Sequence, residues 1–118
     1  MEIFKEYTFE AAHFLPNVPH GHKCRELHGH TYRVVVYVEG SVDPKTGFVC
    51  DFSEVSKAMA TIYGKLDHHC LNDVLDNPTC EVLAEFLFDW LRQRIPVSRI
   101  KVFETPTSGC EYRGPATA

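Results

Sequence analysis

The sequence predicts an α+β domain with the element order ββααββ, in which two helices cover one face of a four-stranded antiparallel sheet. Segments rich in β-branched and aromatic residues lie towards both ends of the 118-residue chain, and two segments with apolar residues at helical spacing lie between them. Strands on either side of a helix pair typically form this two-layer arrangement. No repeat or change of composition interrupts the pattern, so we expect one domain over residues 1–118.

The first half of the chain predicts two strands joined by a long loop. Residues 2–14 carry apolar side chains at alternating positions and predict the first strand, with His13 near its end. Residues 15–29 contain two prolines and two glycines and predict a loop. A loop of this length in a small domain is typical of a functional segment. Residues 30–40 predict the second strand, and its unbroken apolar centre at residues 34–36 suggests burial on both faces and therefore an oligomer.

The second half of the chain predicts two helices followed by two strands. Apolar residues recur at helical spacing in both helical segments, and a threonine that follows a proline is a typical N-cap. The last four residues are expected to fray. The predicted elements are a helix from Asp51 or Ser53 to Leu66, a polar connector over 67–78, a helix capped by Thr79 that ends before Pro96, and strands over 98–105 and 109–114.

Charge, hydropathy and cysteine usage exclude several classes of protein. The chain has 16 acidic against 12 basic residues, a net charge of −4, which argues against general nucleic-acid binding. It contains no apolar run of the roughly 20 residues needed to cross a membrane, and its N-terminus does not resemble a secretory signal. Its five cysteines include no CxxC pair, as is typical of a reducing compartment. We therefore expect a cytoplasmic protein that binds neither nucleic acid nor membranes.

Three histidines are candidates for a metal site. His28 and His30 are two residues apart at the start of a strand and can point to the same face, and His13 ends the preceding strand. If the two strands pair antiparallel, the three imidazoles converge as in a catalytic zinc site with one open position. The alternative is that these are hydrogen-bonded histidines without a metal. His20 and His22, in the same loop, are the other candidate ligands.

Four further residues are candidates for catalysis, each with a simpler alternative. Cys24 lies between two basic residues, which stabilise the reactive thiolate form, although it can equally be an inert buried thiol. Asp67 can orient His68 for proton transfer, or the histidine can simply complement the C-terminal end of the helix dipole. Glu104 ends a strand and is either a solvated acid or a carboxylate that binds the guanidine-like edge of a ligand.

Several segments together resemble one known family nearly end to end. They are FEAAHFLP at 9–16, CRELHGHTY at 24–32, DPKTGFVCDFSEV at 43–55, LDHHCLND at 66–73, NPTCEVLAEFL at 77–87 and ETPTSGCEYRG at 104–114. The family they resemble is the 6-pyruvoyltetrahydropterin synthase superfamily. The resemblance implies the tunnelling fold, whose ββααββ subunits form trimeric barrels that pair into hexamers, with active sites between subunits.

The resemblance also implies a role for each candidate residue. Zn²⁺ would be held by His13, His28 and His30. Cys24 would accept a proton, and His68, oriented by Asp67, would relay one. Glu104 would anchor the pterin ring and, in some family members, also take part in the relay. Lys23, Arg25 and Arg33 are candidate contacts for the phosphates of a pterin triphosphate.

The spacing between Cys24 and His28 distinguishes two branches of the family. Three residues separate them here, which resembles the branch that converts 7,8-dihydroneopterin triphosphate into 6-carboxytetrahydropterin, acetaldehyde and triphosphate during queuosine synthesis. Members that form the pyruvoyl product typically have a longer gap. The remaining alternatives are this pyruvoyl-forming reaction, a metal-free pterin-binding protein and a zinc-stabilised module without catalytic activity.

Overall fold

The secondary structure follows the predicted order, with one addition. In the computed structural model of the protein, residues 1–116 are described. Their strands and helices are β1 (Glu2–His13), β2 (His28–Glu39), α1 (Phe52–Leu66), β3 (His69–Cys70), α2 (Cys80–Leu91), β4 (Val97–Thr105) and β5 (Ser108–Tyr112). Short 3₁₀ turns occupy Lys23–Arg25 and Leu71–Asp73.

The α+β class and the ββααββ order are confirmed. The described strands form a mixed sheet in the order β3-β1-β2-β4-β5. The neighbours among β1, β2, β4 and β5 all pair antiparallel, as predicted. The addition is β3, two residues within the predicted connector that pair parallel with the end of β1. Its backbone groups pair with an edge of β1 that would otherwise lack a strand partner.

The two helices cover one face of the sheet, and the core lies between the two layers. Side chains alternate along a strand, so the residues of β2 that face the helices are Tyr32, Val34, Val36 and Val38, all fully buried. They pack in one cluster with apolar residues of both helices. Thr79 caps α2 as predicted, because its hydroxyl accepts a hydrogen bond from the amide of Val82 at 3.1 Å.

Val35 points to the other face of the sheet and is only 2% exposed in the single chain. Its cross-strand neighbours on that face are Glu6 and Lys101. Because Val35 is already buried in the single chain, its burial does not require a second subunit. The oligomer therefore stays a prediction that rests on the family resemblance.

Three smaller expectations concern the cysteines, the membrane and the chain end. All five cysteines are free thiols in the structure, although the sulfur atoms of Cys80 and Cys110 lie 3.3 Å apart. Within residues 1–116, neither helix is long and apolar enough to cross a membrane. Fraying was predicted for residues 115–118, and two of these, 117 and 118, lie outside the described residues.

Candidate metal centre and active site

The end of β1 and the start of β2 bring three imidazoles together. His13 is the cross-strand partner of His28, and His30 lies two residues further along the same face of β2. One ring nitrogen from each histidine lies within 4.8 Å of the other two. The Nε2 atoms of His13 and His28 are 3.0 Å apart. The predicted convergence of these histidines is therefore confirmed, and the exposed loop histidines His20 and His22 are not part of the cluster.

Main-chain carbonyls fix the tautomers of two of these rings. Nδ1 of His13 lies 2.8 Å from the carbonyl oxygen of Pro78, and Nδ1 of His28 lies 2.7 Å from that of Glu26. A carbonyl oxygen only accepts hydrogen bonds, so in both neutral rings the hydrogen must be on Nδ1. Both Nε2 lone pairs then point towards the centre of the cluster. Two lone pairs at 3.0 Å repel each other unless a cation or a proton lies between them.

The third imidazole, that of His30, also has a ring nitrogen that can bind a ligand. Nε2 of His30 is buried and makes no hydrogen bond to any described group. Burial of the ring lowers its pKa, an effect that Glu104 opposes and the other two histidines reinforce. The neutral ring is the form that binds metals. A buried nitrogen without a hydrogen bond and two lone pairs directed at each other fit a divalent metal ion such as Zn²⁺.

The carboxylate of Glu104 lies beside the histidine cluster. Its Oε1 atom is 3.3 Å from Nε2 of His13 and 3.4 Å from Nε2 of His30. The side chain remains 27% exposed, so it also reaches the open cleft next to the cluster. Glu104 is thus positioned either to complete the metal coordination or to bind a ligand that approaches the metal.

Cys24 lines the cleft that opens in front of the histidines. This cleft has a volume of about 420 Å³, and its walls include His28, His30 and Glu104. The carbonyl of Cys24 accepts a hydrogen bond from the amide of Leu15 at 2.8 Å, which ties the long loop back to the end of β1. The half-buried thiol therefore faces the same space as the candidate metal ligands.

Asp67 and His68 are not among the residues that line this cleft. Nδ1 of His68 is 3.0 Å from Oδ2 of Asp67, and Oδ1 of Asp67 accepts a hydrogen bond from the amide of Glu10 at 3.0 Å. The backbone of His68 has φ = 60°, a left-handed conformation that few residues other than glycine adopt. Its side chain is 78% exposed and lines a second cleft, of about 630 Å³, together with Glu10 and Thr31.

The structure thus separates the predicted catalytic residues into two groups. Cys24, Glu104, His28 and His30 line one cleft, and the buried His13 contacts two of these residues. His68, which pairs with Asp67, lines another cleft that His30 also borders. Of the candidate phosphate contacts, Lys23 lines the first cleft. Arg25 instead donates hydrogen bonds to loop carbonyls, and Arg33 pairs with Glu6 and stacks on an aromatic ring.

Sequence reasoning missed two groups that hold His13 in place. One is the carbonyl of Pro78, for which the sequence carries no signal because 65 residues separate the two positions. The other is the hydroxyl of Tyr32, which lies 3.2 Å from Nδ1 of His13. Burial raises the pKa of Tyr32, so this hydroxyl stays protonated. The period of a strand predicts its position, since Tyr32 lies on the same face of β2 as His28 and His30.

The fold and the histidine cluster define an α+β protein with a candidate three-histidine metal centre at one end of its sheet. The model of the family described as 6-pyruvoyl tetrahydropterin synthase matches residues 2–115. The chain belongs to this family, and the resemblance inferred from the sequence is confirmed.

Individual relatives show how wide the similarity is. The chain is 40% identical to 6-carboxy-5,6,7,8-tetrahydropterin synthase of Synechocystis sp., over 96% of this chain and 93% of the relative. It is 34% identical to dihydroneopterin monophosphate aldolase of Pyrococcus furiosus, over 92% and 94%. The solved structure of Caenorhabditis elegans 6-pyruvoyl tetrahydropterin synthase superposes with a TM-score of 0.89 at 25% identity, covering 98% of this chain and 96% of that one.

The predicted enzyme class is confirmed by these relatives. Further curated proteins from Haemophilus influenzae and Bacillus subtilis also carry the name 6-carboxy-5,6,7,8-tetrahydropterin synthase. The protein is therefore a pterin-processing enzyme of the lyase type.

Proposed function

We propose that the protein converts 7,8-dihydroneopterin triphosphate and water into 6-carboxy-5,6,7,8-tetrahydropterin, acetaldehyde and triphosphate, with Zn²⁺ held by His13, His28 and His30. Relatives with this name cover nearly the whole chain. The observation that carries the proposal is the cleft in which a thiol, a carboxylate and the histidine cluster face one another. The product would enter queuosine synthesis in the cytoplasm.

Each group around the cleft has a chemical task in this reaction. Bound Zn²⁺ supplies Lewis acidity, which makes the hydroxyl-bearing side chain of the substrate more acidic. Cys24, as a thiolate, removes a proton from that side chain. The pterin ring gains the electrons that the side chain loses, so the reaction needs no nicotinamide. Lys23 lies at the same cleft and is the cation best placed to meet the triphosphate.

Glu104 binds the pterin ring in this proposal. A carboxylate can accept two parallel hydrogen bonds from the amino group and an adjacent ring N–H of a pterin, as it does from a guanidinium group. The partial exposure of Glu104 supports this role, because a ligand in the cleft can reach its side chain. Because Glu104 also lies close to His13 and His30, it is a second candidate as a metal ligand. A Glu104 variant can distinguish metal binding from pterin binding.

The separate position of Asp67 and His68 supports an active site shared between subunits. Within one chain His68 lines a different cleft from Cys24, and His30 borders both clefts. If His68 relays a proton to the substrate that Cys24 deprotonates, this arrangement favours two residues that come from different copies of the chain. We therefore include a homo-oligomer in the proposal, in the trimeric or hexameric form that the tunnelling fold implies.

Product analysis tests the proposed reaction. The zinc-loaded protein is incubated with 7,8-dihydroneopterin triphosphate, and the products are identified by mass spectrometry. A carboxypterin together with acetaldehyde supports the proposal. A pyruvoyl product would instead show that the protein belongs to the pyruvoyl-forming branch of the family. A second incubation with the monophosphate tests the aldolase activity in the name of the Pyrococcus relative. Bound zinc without turnover of either substrate would support a non-catalytic module.

A further inference from the structure

One segment runs along the end of β1 and closes its outer edge. The amide of His68 donates a hydrogen bond to the carbonyl of Glu10 at 2.6 Å, and β3 then pairs with the next two residues of β1. The contact continues to Asn72, whose side chain reaches the backbone of Phe14. The segment over 67–72 is therefore attached along β1 up to the residue that follows His13.

Asn72 completes this attachment with its side chain. Its Oδ1 atom accepts a hydrogen bond from the amide of Phe14 at 3.0 Å, and its Nδ2 atom donates one to the carbonyl of Phe14 at 2.9 Å. A carboxamide carries one acceptor and one donor side by side, so it can satisfy both backbone groups of one residue as a neighbouring strand would. Asn72 thus pairs with both backbone groups of the first residue after β1.

This contact bears directly on the candidate metal ligand. His13 is the last residue of β1, and strand ends fray unless their backbone groups are paired. Its ring is held by the carbonyl of Pro78, but its backbone on the C-terminal side is held through Phe14. We propose that Asn72 is a positioning residue that holds the metal ligand His13 in its binding geometry. The proposal rests on the metal site of the proposed function.

The contact can be removed without emptying the core. Phe14 is exposed, so water can hydrate its amide and carbonyl when the carboxamide is absent. An Asn72→Ala variant is therefore expected to fold and to lose order locally at the end of β1. The loss should appear in metal binding, because outer partners that orient a ligand typically change metal affinity by about 10- to 100-fold.

The test compares zinc binding in three variants with that of the wild-type protein. Zinc affinity is measured by competition with a chromophoric chelator, and the Co²⁺-substituted proteins are compared by absorption spectroscopy. We expect Asn72→Ala to weaken zinc binding by about tenfold or more and to shift the Co²⁺ absorption bands. The control is Asp73→Asn, an exposed neighbour, which should stay within about twofold of wild type, because surface changes usually have small effects.

A second variant keeps the test decisive if the first one does not fold. Asn72→Asp has the same shape and still accepts from the amide of Phe14, but it places a second oxygen against the carbonyl of Phe14. It should weaken zinc binding in the same direction. Folded variants with wild-type affinity and wild-type Co²⁺ spectra would overturn the proposal, even if they unfold at a lower temperature. Failure of the wild-type protein itself to bind zinc would instead refute the metal site of the proposed function.

Discussion

The Nε2 nitrogens of His13 and His28 lie 3.0 Å apart while the Nδ1 atom of each ring is held by a main-chain carbonyl. The two carbonyls thereby direct two lone pairs at the same point. Two lone pairs directed at one point repel each other, whereas a cation bound at that point is attracted to both. The geometry of these two rings is thus that of metal ligands.

Removal of one imidazole should remove the metal. We expect His28→Ala to lose most of its bound zinc, because two remaining nitrogen ligands hold the ion much more weakly than three. The measurement is the zinc content of the purified, dialysed protein by elemental mass spectrometry. The matched control is His20→Ala, an exposed histidine outside the cluster, which should retain wild-type content. Full zinc content in His28→Ala would contradict the three-histidine site.

Replacement of Glu104 should separate its two candidate roles. If the carboxylate anchors the pterin, Glu104→Gln keeps its zinc but raises KM, and kcat/KM falls by about 30-fold, as expected for the loss of a hydrogen bond to a charged group worth about 2 kcal/mol. Zinc content and steady-state kinetics are measured on the same preparation. Loss of zinc in Glu104→Gln would show instead that the carboxylate is a fourth metal ligand.

Cys24 should be required for turnover and not for metal binding. We expect Cys24→Ala to retain zinc while kcat falls by about 10²- to 10⁴-fold, the usual contribution of a general base. The control is Cys50→Ala, whose thiol lies outside both clefts and should leave kcat nearly unchanged. Substantial activity in Cys24→Ala would exclude the thiol as the proton acceptor.

Mixing two inactive variants should restore activity if the site is shared between subunits. The Cys24→Ala and His68→Ala proteins are unfolded together and refolded as a mixture. With random mixing, about a quarter of the sites would combine one intact Cys24 with one intact His68 from another copy. Activity well above that of either parent is the expected result. No recovery, with mixed assemblies demonstrated by native mass spectrometry, would place both residues of a working site in one subunit.

Asp67 should contribute stability that depends on pH. Hydrogen bonds from the amide of Glu10 and from His68 hold the pKa of Asp67 below its ordinary value of 3.8. A carboxyl group with a lowered pKa in the folded state stabilises the fold above its ordinary pKa and loses that contribution as the pH falls through the lowered value. We therefore expect Asp67→Asn to be less stable than wild type near pH 7, with the difference shrinking below pH 3.8.

Urea unfolding at neutral and acidic pH measures this difference. Asp73→Asn is the control, because it removes a nearby exposed carboxylate without touching Glu10 or His68. An Asp67→Asn difference that stays constant from neutral pH to about pH 3 would show that the charge of Asp67 is not the stabilising element.

The strand period explains part of why the histidine cluster could be predicted from the sequence. The two-residue spacing of His28 and His30 places them on one face, which the strand pattern alone predicts. The position of His13 opposite His28 depends in addition on the antiparallel pairing of β1 with β2, which the sequence analysis assumed and the structure shows. The N-cap at Thr79 was predictable from the local sequence, because capping depends on adjacent residues.

The supporting groups depend on contacts between distant parts of the chain and had no local signal. The carbonyl of Pro78 reaches His13 because α2 packs across the sheet, and a carbonyl looks the same at every position of a sequence. The two-residue strand β3 is too short to show a period. Cys24 and His68 likewise line different clefts, which their spacing along the chain does not encode.

The left-handed backbone at His68 implies a trade-off between folding and chemistry at this position. With φ = 60°, glycine or asparagine would fit the backbone with less strain than histidine. A substitution to either residue would relieve that strain while removing the imidazole that pairs with Asp67. Random selection for thermostability alone would therefore tend to replace His68, whereas selection for activity would keep it.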